Sequence, residues 1–407
     1  MLRALYFRGF QSHTKDYKAS DAVGYGITAA NAIADMLPQY GVDVHIVQPK
    51  FSETFSDMER TRLAWILETQ KELLRVDLRR FDLAFIFHSF QQFPCEVRRL
   101  LQDLRVDLPI IGYSHGSHWD PTDSYRQIHY PGMEVLDLAN LLCLDRVLLV
   151  SESFRTVLVE NIGRWQHDAA KQVNERLVVV GLPLNTKLID AQRTNERFDQ
   201  RTIVFNHSIT PGKQPEQFLS VAEEILDRHD ARVVVTRNAD DPALAARMGQ
   251  LQGRFPGRFV TGDTYSLPEY FRLLWQSHIQ VSTASHETLG ISTLEAMYTG
   301  NACLLPSRCS YPEITSGVED ALYSSREELI DMIERYLTNE TARAALATDL
   351  RQRSQRYEPE RVVKVIADVM REVVASRHEG ATSSPVPTSL AASLSSTAGR
   401  DEQRGRE

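Results

Sequence analysis

The feature that most constrains the fold of this 407-residue chain is the regular alternation of short β-branched runs with longer amphipathic stretches. Such alternation predicts right-handed βαβ units, and therefore parallel sheets that are covered by helices on both faces. The strands are expected at 3–8, 42–48, 82–88, 108–113, 146–151 and 177–181, and then at 202–206, 232–236, 258–261, 279–283 and 302–306. The main helices are expected at 27–37, 57–76, 94–104, 215–228, 242–252, 267–276 and 290–299.

The alternation is interrupted by the polar segment 186–201, which we interpret as a linker. It separates a first half, 1–185, from a second half, 202–358, and each half is long enough for one Rossmann-like domain. A further helix is expected over 359–379. Because ligands of open parallel sheets bind at the carboxyl ends of the strands, the cleft between the halves is the predicted site.

The last segment, 380–407, differs in composition from the rest of the chain. It contains six serines, two prolines and no aromatic residue. A segment of this kind cannot bury enough apolar surface to offset its ordering entropy. We therefore expect a disordered tail.

Overall composition narrows the class of protein. The chain is 42% hydrophobic and 25% charged, with 46 basic and 54 acidic residues and a formal charge of −8. That balance is typical of a globular protein and gives no overall attraction to nucleic acid. Four cysteines form no disulfide framework or zinc pattern, and no run approaches the roughly 18 apolar residues of a membrane helix. We expect a cytoplasmic protein without stable membrane insertion.

The most informative segment, 282–300, begins where a predicted strand ends and contains two glutamates, Glu287 in a polar loop and Glu295 in the following helix. The backbone N–H groups of residues 288–291 would form an anion-binding concavity with the helix dipole behind it. A diphosphate fits there, with the carboxylates as acceptors for sugar hydroxyls. In the alternative interpretation, Glu287 caps the helix and Glu295 is solvated.

The E-x7-E spacing of Glu287 and Glu295, followed by Gly300 and Pro306, resembles the donor-binding motif of retaining glycosyltransferases of family 4, which have the two-domain GT-B fold. The longer string is most similar in motif to the tRNA-queuosine mannosyltransferase branch of that family. It reads His286-Glu287-x-x-Gly290, Leu294-Glu295-Ala296 and Tyr311-Pro312-Glu313-Ile314.

The resemblance implies an α/β protein in which two Rossmann-like domains face each other across a cleft. The domain at 1–185 would lie on the acceptor side, and the domain at 202–358 would bind the nucleotide-sugar donor. The final helix would cross back to the first domain. Glu287 would face the donor sugar, and Glu295 would bind the nucleotide ribose. The loop backbone that would meet the diphosphate and the sugar belongs to Thr288, Leu289 and Gly290.

A second landmark of the family follows the first strand of the second half, where Asn206, His207 and Ser208 precede Lys213. By resemblance, Asn206 and Ser208 lie beside the donor and Lys213 holds its diphosphate, but Ser208 stands where an arginine is expected. A cation is needed because the leaving nucleoside diphosphate gathers negative charge. Arg237, after the next strand, is a candidate substitute. The alternatives are a solvated Lys213 and a sugar-nucleotide-binding protein with impaired catalysis.

The glycine-rich segment 21–30, with Gly24 and Gly26, resembles the loop that closes over the donor from the first domain of family 4 enzymes. Taken alone, Gly24, Gly26 and Ala29 also fit the dinucleotide fingerprint G-x-G-x-x-A, which would indicate a NAD-dependent oxidoreductase. Against that alternative, the glycines do not directly follow the first strand, and no acidic residue ends the second strand.

A polar cluster over 113–123 follows the fourth predicted strand, and its His115 matches the family histidine that lies beside the donor sugar. The cluster also contains His118, Asp120 and Asp123. Three interpretations stay open: an active-site loop, a turn capped by aspartates, and a metal site. No Asp-x-Asp metal signature occurs in the chain, and GT-B enzymes need no metal, so we predict none.

Together with these features, the resemblance to family 4 implies transfer of a hexose from a nucleotide sugar to an acceptor hydroxyl, with retention of configuration. The donor, GDP-mannose or a UDP-hexose, is a co-substrate, and no cofactor is expected. The predicted catalytic residues are Lys213, Glu287 and His115, of which His115 positions the sugar. The acceptor stays open between a small metabolite, a lipid precursor and a modified tRNA base.

Overall fold

The computed structural model of the chain describes residues 1–8, 25–47, 58–89, 93–123, 132–262 and 265–383. The first half contains a parallel sheet of β1 (Leu2–Phe7), β2 (Val42–Ile46), β3 (Leu83–Phe87), β4 (Ile110–Ser114), β5 (Arg146–Leu149) and β6 (Leu177–Val179). These strands lie in the order β2-β1-β3-β4-β5-β6. Strands β3 and β4 are buried along their whole length, as expected for a sheet covered on both faces.

The second half contains another parallel sheet. It is built from β7 (Arg201–Phe205), β8 (Ala231–Val235), β9 (Phe259–Thr261), β10 (Ile279–Val281), β11 (Ala302–Pro306) and β12 (Leu322–Tyr323). The strand order is β12-β11-β10-β7-β8-β9, so β7 lies between β10 and β8. The connections run outward in opposite directions from β7, which places a crevice at the carboxyl ends of β7 and β10.

Helices cover both sheets. Those of the first half are α1 (Tyr25–Met36), α2 (Met58–Leu73), α3 (Pro94–Asp103), α4 (Met133–Leu142), α5 (Glu152–Trp165) and α6 (His167–Asn174). They are followed by α7 (Thr186–Asp190), α8 (Pro215–Arg228), α9 (Pro242–Arg254), α10 (Leu267–Gln276), α11 (Ile291–Tyr298), α12 (Tyr311–Ile314), α13 (Arg326–Thr338), α14 (Glu340–Ser354) and α15 (Pro359–Ser383). Short 3₁₀ turns occupy Leu37–Tyr40, Leu78–Arg80, Pro211–Lys213, Glu319–Ala321 and Gln355–Tyr357.

The predicted α/β architecture is confirmed, with two Rossmann-like domains. Each predicted strand has an observed counterpart whose ends lie within two residues of the expected limits. The agreement is close because buried parallel strands are continuous apolar runs, and such runs stand out from the amphipathic helices between them.

Helix α15 packs on the first domain, although it follows the second domain in the chain. The Tyr40 hydroxyl donates to the Glu360 carbonyl at 2.9 Å, and Arg371 donates to the Tyr40 carbonyl at 2.6 Å. Arg377 forms ion pairs with Asp107 and Asp145. The helix continues to Ser383 and so passes the expected end at residue 379. The rest of the tail, 384–407, lies outside the described residues.

The segment expected to be a polar linker contains a short helix. In α7, Ile189 is fully buried, and its carbonyl accepts a hydrogen bond from Trp275 Nε1 at 2.9 Å. The first part of the linker is thus held against α10 of the second domain. Among the described helices, none combines the length and the apolar character that crossing a bilayer requires.

Candidate active site

Two loops at the carboxyl edge of the second sheet bring Lys213 and Glu287 together. Lys213 lies after β7, and Glu287 lies after β10. The Lys213 Nζ donates to Glu287 Oε2 at 2.8 Å and to the backbone carbonyl of His286 at 2.8 Å. Each of the two charged side chains is only 15% exposed. Lys213 is therefore a largely buried partner of Glu287 and not a solvated surface lysine.

Further hydrogen bonds between the two loops fix their positions relative to each other. The N–H groups of Ser285 and His286 donate to the Gly212 carbonyl at 2.9 and 3.2 Å. The Thr283 hydroxyl donates to the Lys213 carbonyl at 2.8 Å. Because β7 and β10 are neighbours in the sheet, the loops start side by side, and these bonds place Lys213 level with Glu287.

The Lys213–Glu287 pair is ionised and lies beside a neutral histidine. Burial by itself raises the pKa of Glu287, but the charge and the hydrogen bond of Lys213, together with the neighbouring histidines, hold that pKa below its usual value. For the buried His207, burial together with the Lys213 charge lowers the pKa to about 3. Its Nδ1 lies 3.0 Å from Ser292 Oγ. At neutral pH the site therefore contains one ion pair and an uncharged imidazole.

Helix α11 begins after Gly290, whose backbone has a φ of +90°. Glycine adopts this left-handed region without a steric penalty. A Cβ at this position would lie 3.2 Å from Tyr311 Cε1 and 3.4 Å from Glu287 Cγ. No side chain caps the helix, so the alternative in which Glu287 is its cap is wrong. The first-turn N–H groups have no acceptor within the helix, as at any helix start.

We expect Gly290→Ala to destabilise the protein by about 1–3 kcal/mol, because the left-handed backbone costs an L-residue roughly 1–2 kcal/mol and the new methyl group crowds Tyr311. Chemical denaturation of the variant and the wild type measures the difference. The matched control is Gly249→Ala in α9, where nothing lies within 4 Å of the new Cβ. That change should stabilise the protein by roughly 0.5–1 kcal/mol. Equal effects at the two positions would contradict the proposed constraint.

Glu295 lies in the second turn of α11 and is 6% exposed, so the alternative of a solvated Glu295 is wrong. Its Oε2 accepts a hydrogen bond from the Tyr270 hydroxyl at 2.7 Å. Asn206 Nδ2 in turn donates to the Tyr270 oxygen at 3.0 Å and to the Ser292 carbonyl at 2.8 Å. Sequence reasoning missed Tyr270, because its contact with Glu295 depends on the packing of α10 on α11.

Ser208 and Arg237 lie at the same edge of the sheet, since Phe205 and Val235 pair at the ends of β7 and β8. Both residues are exposed. Ser208 Oγ lies 3.3 Å from Thr210 Oγ1. Arg237 thus follows the strand next to β7, at the same edge of the sheet as the loop that lacks the expected arginine.

The loop at Thr288 contacts the first domain through two hydrogen bonds. Its hydroxyl donates to the His115 carbonyl at 2.9 Å, and its carbonyl accepts from the Ser151 hydroxyl. Nearby, the Glu313 carboxylate accepts from the N–H groups of Glu152 and Ser153, at the start of α5, at 3.1 and 3.0 Å. Leu289, the next residue of the loop, is buried. The donor-binding loop predicted from the sequence is therefore also an interdomain contact.

His115 stacks edge-on against His88, a residue that the sequence analysis did not single out. The ring centroids are 3.8 Å apart, at an interplanar angle of 76°. Burial lowers the pKa of His115 to about 4, and burial with the neighbouring His115 lowers that of His88. His88 has a φ of +62°. His88 follows β3 just as His115 follows β4. Its position directly after a predicted strand is the sequence feature that could have identified it.

The polar cluster that follows β4 combines a turn with a domain contact. Asp120 Oδ1 accepts from the N–H and the hydroxyl of Thr122 at 2.9 and 2.7 Å, as in a capped turn. His118 is buried, and its N–H donates to Asp137 at 3.0 Å. Among the described side chains, no group of three or more His, Cys, Asp or Glu is arranged to hold a metal ion.

His286, which directly precedes Glu287 in the sequence, links this polar cluster to the second domain. Its Nδ1 lies 2.8 Å from Thr122 Oγ1 and 3.4 Å from Asp120 Oδ2, and its Nε2 lies 3.9 Å from Asp123 Oδ2. Burial alone lowers the pKa of His286, but the two carboxylates raise it above its usual value. Burial alone raises the pKa of Asp120, and its contacts with His286 and Thr122 lower it overall. The result is an ionic bridge across the cleft.

This bridge predicts a pH-dependent effect of His286→Asn. Because the folded-state pKa of His286 is raised, its contribution is complete below the ordinary value of 6.5 and is lost as the pH rises through the raised value. We expect the variant to be about 1.5–3 kcal/mol less stable near pH 6, the range for hydrogen bonds to charged groups, with a smaller difference at pH 9. Urea unfolding at both pH values measures it.

The control for His286→Asn is His167→Asn, since His167 is exposed at the start of α6. It should change stability by less than about 0.5 kcal/mol at either pH. A difference for His286→Asn that is the same at pH 6 and pH 9 would show that the bridge is not ionic.

The glycine-rich segment is only partly described. Gly24 lies outside the described residues, and Gly26 lies in the first turn of α1. Strand β2, after which a dinucleotide-binding site would need an acidic residue, ends at Ile46.

The second half of the chain matches a family model described as Glycosyl transferases group 1, over residues 187–356. Among curated proteins, the chain is 22% identical over 213 residues to the tRNA-queuosine alpha-mannosyltransferase of Drosophila melanogaster. That match covers 46% of this chain and 56% of the Drosophila protein, so the chain spans about half the length of this curated relative.

Solved structures are similar to nearly the whole chain. Sucrose-phosphate synthase from Thermosynechococcus elongatus is 14% identical, with a TM-score of 0.68, and the match covers 92% of this chain and 100% of that one. Anabaena Alr3699/HepE, solved in complex with UDP and glucose, is 12% identical, with a TM-score of 0.63 and coverage of 91% and 100%. Identities this low show the fold alone. That fold is GT-B, as predicted.

Proposed function

We propose that this protein transfers a glycosyl group from a nucleotide-sugar donor to an acceptor hydroxyl. The observation that carries the proposal is the largely buried Lys213–Glu287 ion pair at the carboxyl edge of the second sheet, with the buried Glu295 in the helix that follows. All three residues lie in the segment that matches the glycosyltransferase model, and open parallel sheets bind ligands at this edge. The UDP and glucose bound by the Anabaena neighbour support a sugar-nucleotide donor.

In the proposed reaction, Lys213 stabilises the leaving nucleoside diphosphate. As the bond between the anomeric carbon and the diphosphate oxygen breaks, negative charge develops on the phosphate. The ammonium and the free N–H groups at the start of α11 supply positive potential there. Before the donor binds, Glu287 balances the Lys213 charge at 2.8 Å and keeps the ammonium in place.

The carboxylates bind the two ends of the donor. Glu287, ionised by its contact with Lys213, accepts hydrogen bonds from sugar hydroxyls, and Glu295 accepts from the ribose. Asn206 acts through Tyr270, because its amide nitrogen donates to protein oxygens and so positions Glu295. Arg237, which follows the neighbouring strand β8, is the proposed second cation for the diphosphate, in place of the arginine expected at Ser208.

We assign a retaining mechanism, as the resemblance to family 4 implies. A hydrolase would use two close carboxylates as acid and nucleophile. Glu287 is unsuited to the acid role, because Lys213 keeps it deprotonated at neutral pH. His115 is neutral, since burial lowers its pKa to about 4, and in this proposal it orients the sugar by hydrogen bonding. Closure of the domains around Thr288 excludes water.

The proposal extends to the identities of the donor and of the acceptor. The name of the Drosophila relative favours mannose and therefore GDP-mannose, whereas the ligands of the Anabaena neighbour favour a UDP-hexose. The same relative's name suggests a modified tRNA base as acceptor, beside a small metabolite or a lipid precursor. The glycine-rich segment around Gly24 and Gly26 would close over whichever donor binds.

A thermal-shift panel with GDP, UDP, ADP, GDP-mannose, UDP-glucose and NAD tests this proposal. A ligand at about 100 times its Kd stabilises the folded state by roughly 2.7 kcal/mol. We expect one nucleoside diphosphate and its sugar conjugate to raise the Tm, and the conjugate to release its diphosphate on incubation with an acceptor hydroxyl. A shift with NAD alone would indicate an oxidoreductase instead. Binding without diphosphate release, in the presence of each acceptor class, would indicate a catalytically impaired binding protein.

A further inference from the structure

Four arginines line a second cleft, at the edge of the second sheet opposite the candidate active site. The cleft has a volume of about 330 Å³, and its walls carry Arg197, Arg201, Arg343 and Arg351. Arg201 is the first residue of β7, and the adjoining His278 directly precedes β10. Lys213 and Glu287 follow the carboxyl ends of these same strands, so the two clefts are separated by the length of the strands.

The charge of this arginine cleft is not balanced by its own lining. Among its lining residues, Glu340 is the carboxylate, and it faces four guanidinium groups. Glu340 pairs with Arg201 at 2.8 Å, and its side chain is 72% exposed. Burial, with repulsion from Arg343 and Arg351, lowers the pKa of Arg197 to about 10. Burial, with repulsion from Arg201, also lowers the pKa of Arg343.

Three of the guanidinium groups, those of Arg197, Arg343 and Arg351, have uncharged partners, although Arg343 also lies 4.0 Å from Glu340. Arg197 donates to the backbone carbonyls of Ser277, Thr299 and Gly300. Arg343 donates to the Tyr336 carbonyl at 2.9 Å. The Arg351 guanidinium lies 5.2 Å from the centroid of the Trp275 ring. These contacts fix the arginines without neutralising them, so the positive charge is preorganised.

His278 supplies an independent sign that an acceptor belongs in the cleft. It is 5% exposed, and its Nδ1 accepts a hydrogen bond from the Thr202 N–H at 3.2 Å. Burial and the surrounding arginines lower its pKa to about 3, so the ring is neutral and its proton is on Nε2. That Nε2 lies 3.4 Å from Arg201 Nη1. Two hydrogen-bond donors therefore face each other, and a bound oxyanion would accept from both.

We propose that this cleft binds a phosphoryl dianion, either as inorganic phosphate or as a phosphate ester of a small molecule. Planar guanidinium forks match the oxygen geometry of phosphate, and the donor of His278 adds a further hydrogen bond. The volume leaves room for a small organic group beside the phosphoryl group. Because Arg197 lies in the linker and Arg343 lies in α14, the bound anion ties these two segments together.

Isothermal titration with inorganic phosphate, at constant ionic strength set by chloride, tests the site. We expect saturable binding that Arg351→Gln and Arg201→Gln each weaken about tenfold or more, since each loses a charged donor. Glu340→Gln should instead tighten binding, because it removes the opposing carboxylate. The matched control is Arg326→Gln, an arginine that pairs with Glu224 on the surface of the same domain, and it should leave phosphate binding unchanged.

A glucose 6-phosphate titration distinguishes the two sources of the anion: tighter binding than phosphate indicates an ester, and weaker binding indicates the free ion. No binding beyond the chloride baseline in the wild type would overturn the proposal whether or not the variants fold. So would an Arg326→Gln variant weakened as much as Arg351→Gln. The nucleotide response of Arg351→Gln should match that of the wild type, so failure of the donor site would be seen separately.

Discussion

Lys213→Met is expected to lower turnover by about 100- to 1,000-fold, the range found when one stabilising donor of a charged transition state is removed. The physical reason is that Lys213 is the buried cation at the proposed diphosphate site, where its charge is 15% exposed and held by Glu287 at 2.8 Å. Release of nucleoside diphosphate measures the effect, under saturating donor and with an added acceptor alcohol or water taking the glycosyl group. Lys364→Met is the matched control, since Lys364 pairs with Asp368 on α15 and is 61% exposed.

The same variant also tests the energetics of the ion pair, because it leaves Glu287 unpaired. Breaking a buried pair from one side costs about 3–5 kcal/mol, whereas removing both charges costs much less. Lys213→Met/Glu287→Gln should therefore be more stable than Lys213→Met alone, yet equally slow. A folded Lys213→Met variant with near wild-type turnover would remove Lys213 from the mechanism. Recovery of turnover in the double variant would show that the single variant was slow only because it was misfolded.

Much of the fold was predictable because each strand is marked by one short run of consecutive apolar residues. The limits of β7 and β11, for example, follow from apolar runs flanked by polar residues. The motif around Glu287 and Glu295 was also local, and both residues lie where a strand gives way to a helix. What the sequence did not show was which loops meet. The contact of Lys213 with Glu287 requires β7 and β10 to be neighbours, although 73 residues separate Lys213 from the contacted His286 carbonyl.

Contacts between domains were still less accessible. His286 meets Thr122 across a separation of 164 residues, and the aspartates there were explained equally well by a simple turn. The arginine cleft assembles side chains from the linker, β7 and α14, none of which forms a motif. In these cases no individual residue indicates a site in the sequence. The chemistry arises because packing brings like charges or opposite charges together.

Glu295→Gln is expected to weaken nucleoside diphosphate binding by about 10- to 150-fold, which corresponds to the 1.5–3 kcal/mol of a charge-assisted hydrogen bond. The change keeps an oxygen that can accept from the Tyr270 hydroxyl, so the local structure is preserved while the charge that receives the ribose hydroxyls is lost. Titration with UDP or GDP measures the loss. Pyrophosphate has no ribose, and its affinity should change by less than about threefold.

Tyr270→Phe distinguishes the contact of Glu295 with the nucleotide from the orientation of Glu295 by the Tyr270 hydroxyl. The phenylalanine keeps the ring in the core but removes the hydroxyl at 2.7 Å, so Glu295 retains its charge and loses an orienting donor. We expect a smaller loss of nucleotide affinity, about 0.5–1.5 kcal/mol, and less than additive effects in the double variant, because Tyr270 acts through Glu295. Fully additive losses would mean that Tyr270 contacts the nucleotide itself. An equal loss for pyrophosphate and nucleotide in Glu295→Gln would place Glu295 at the diphosphate rather than at the ribose.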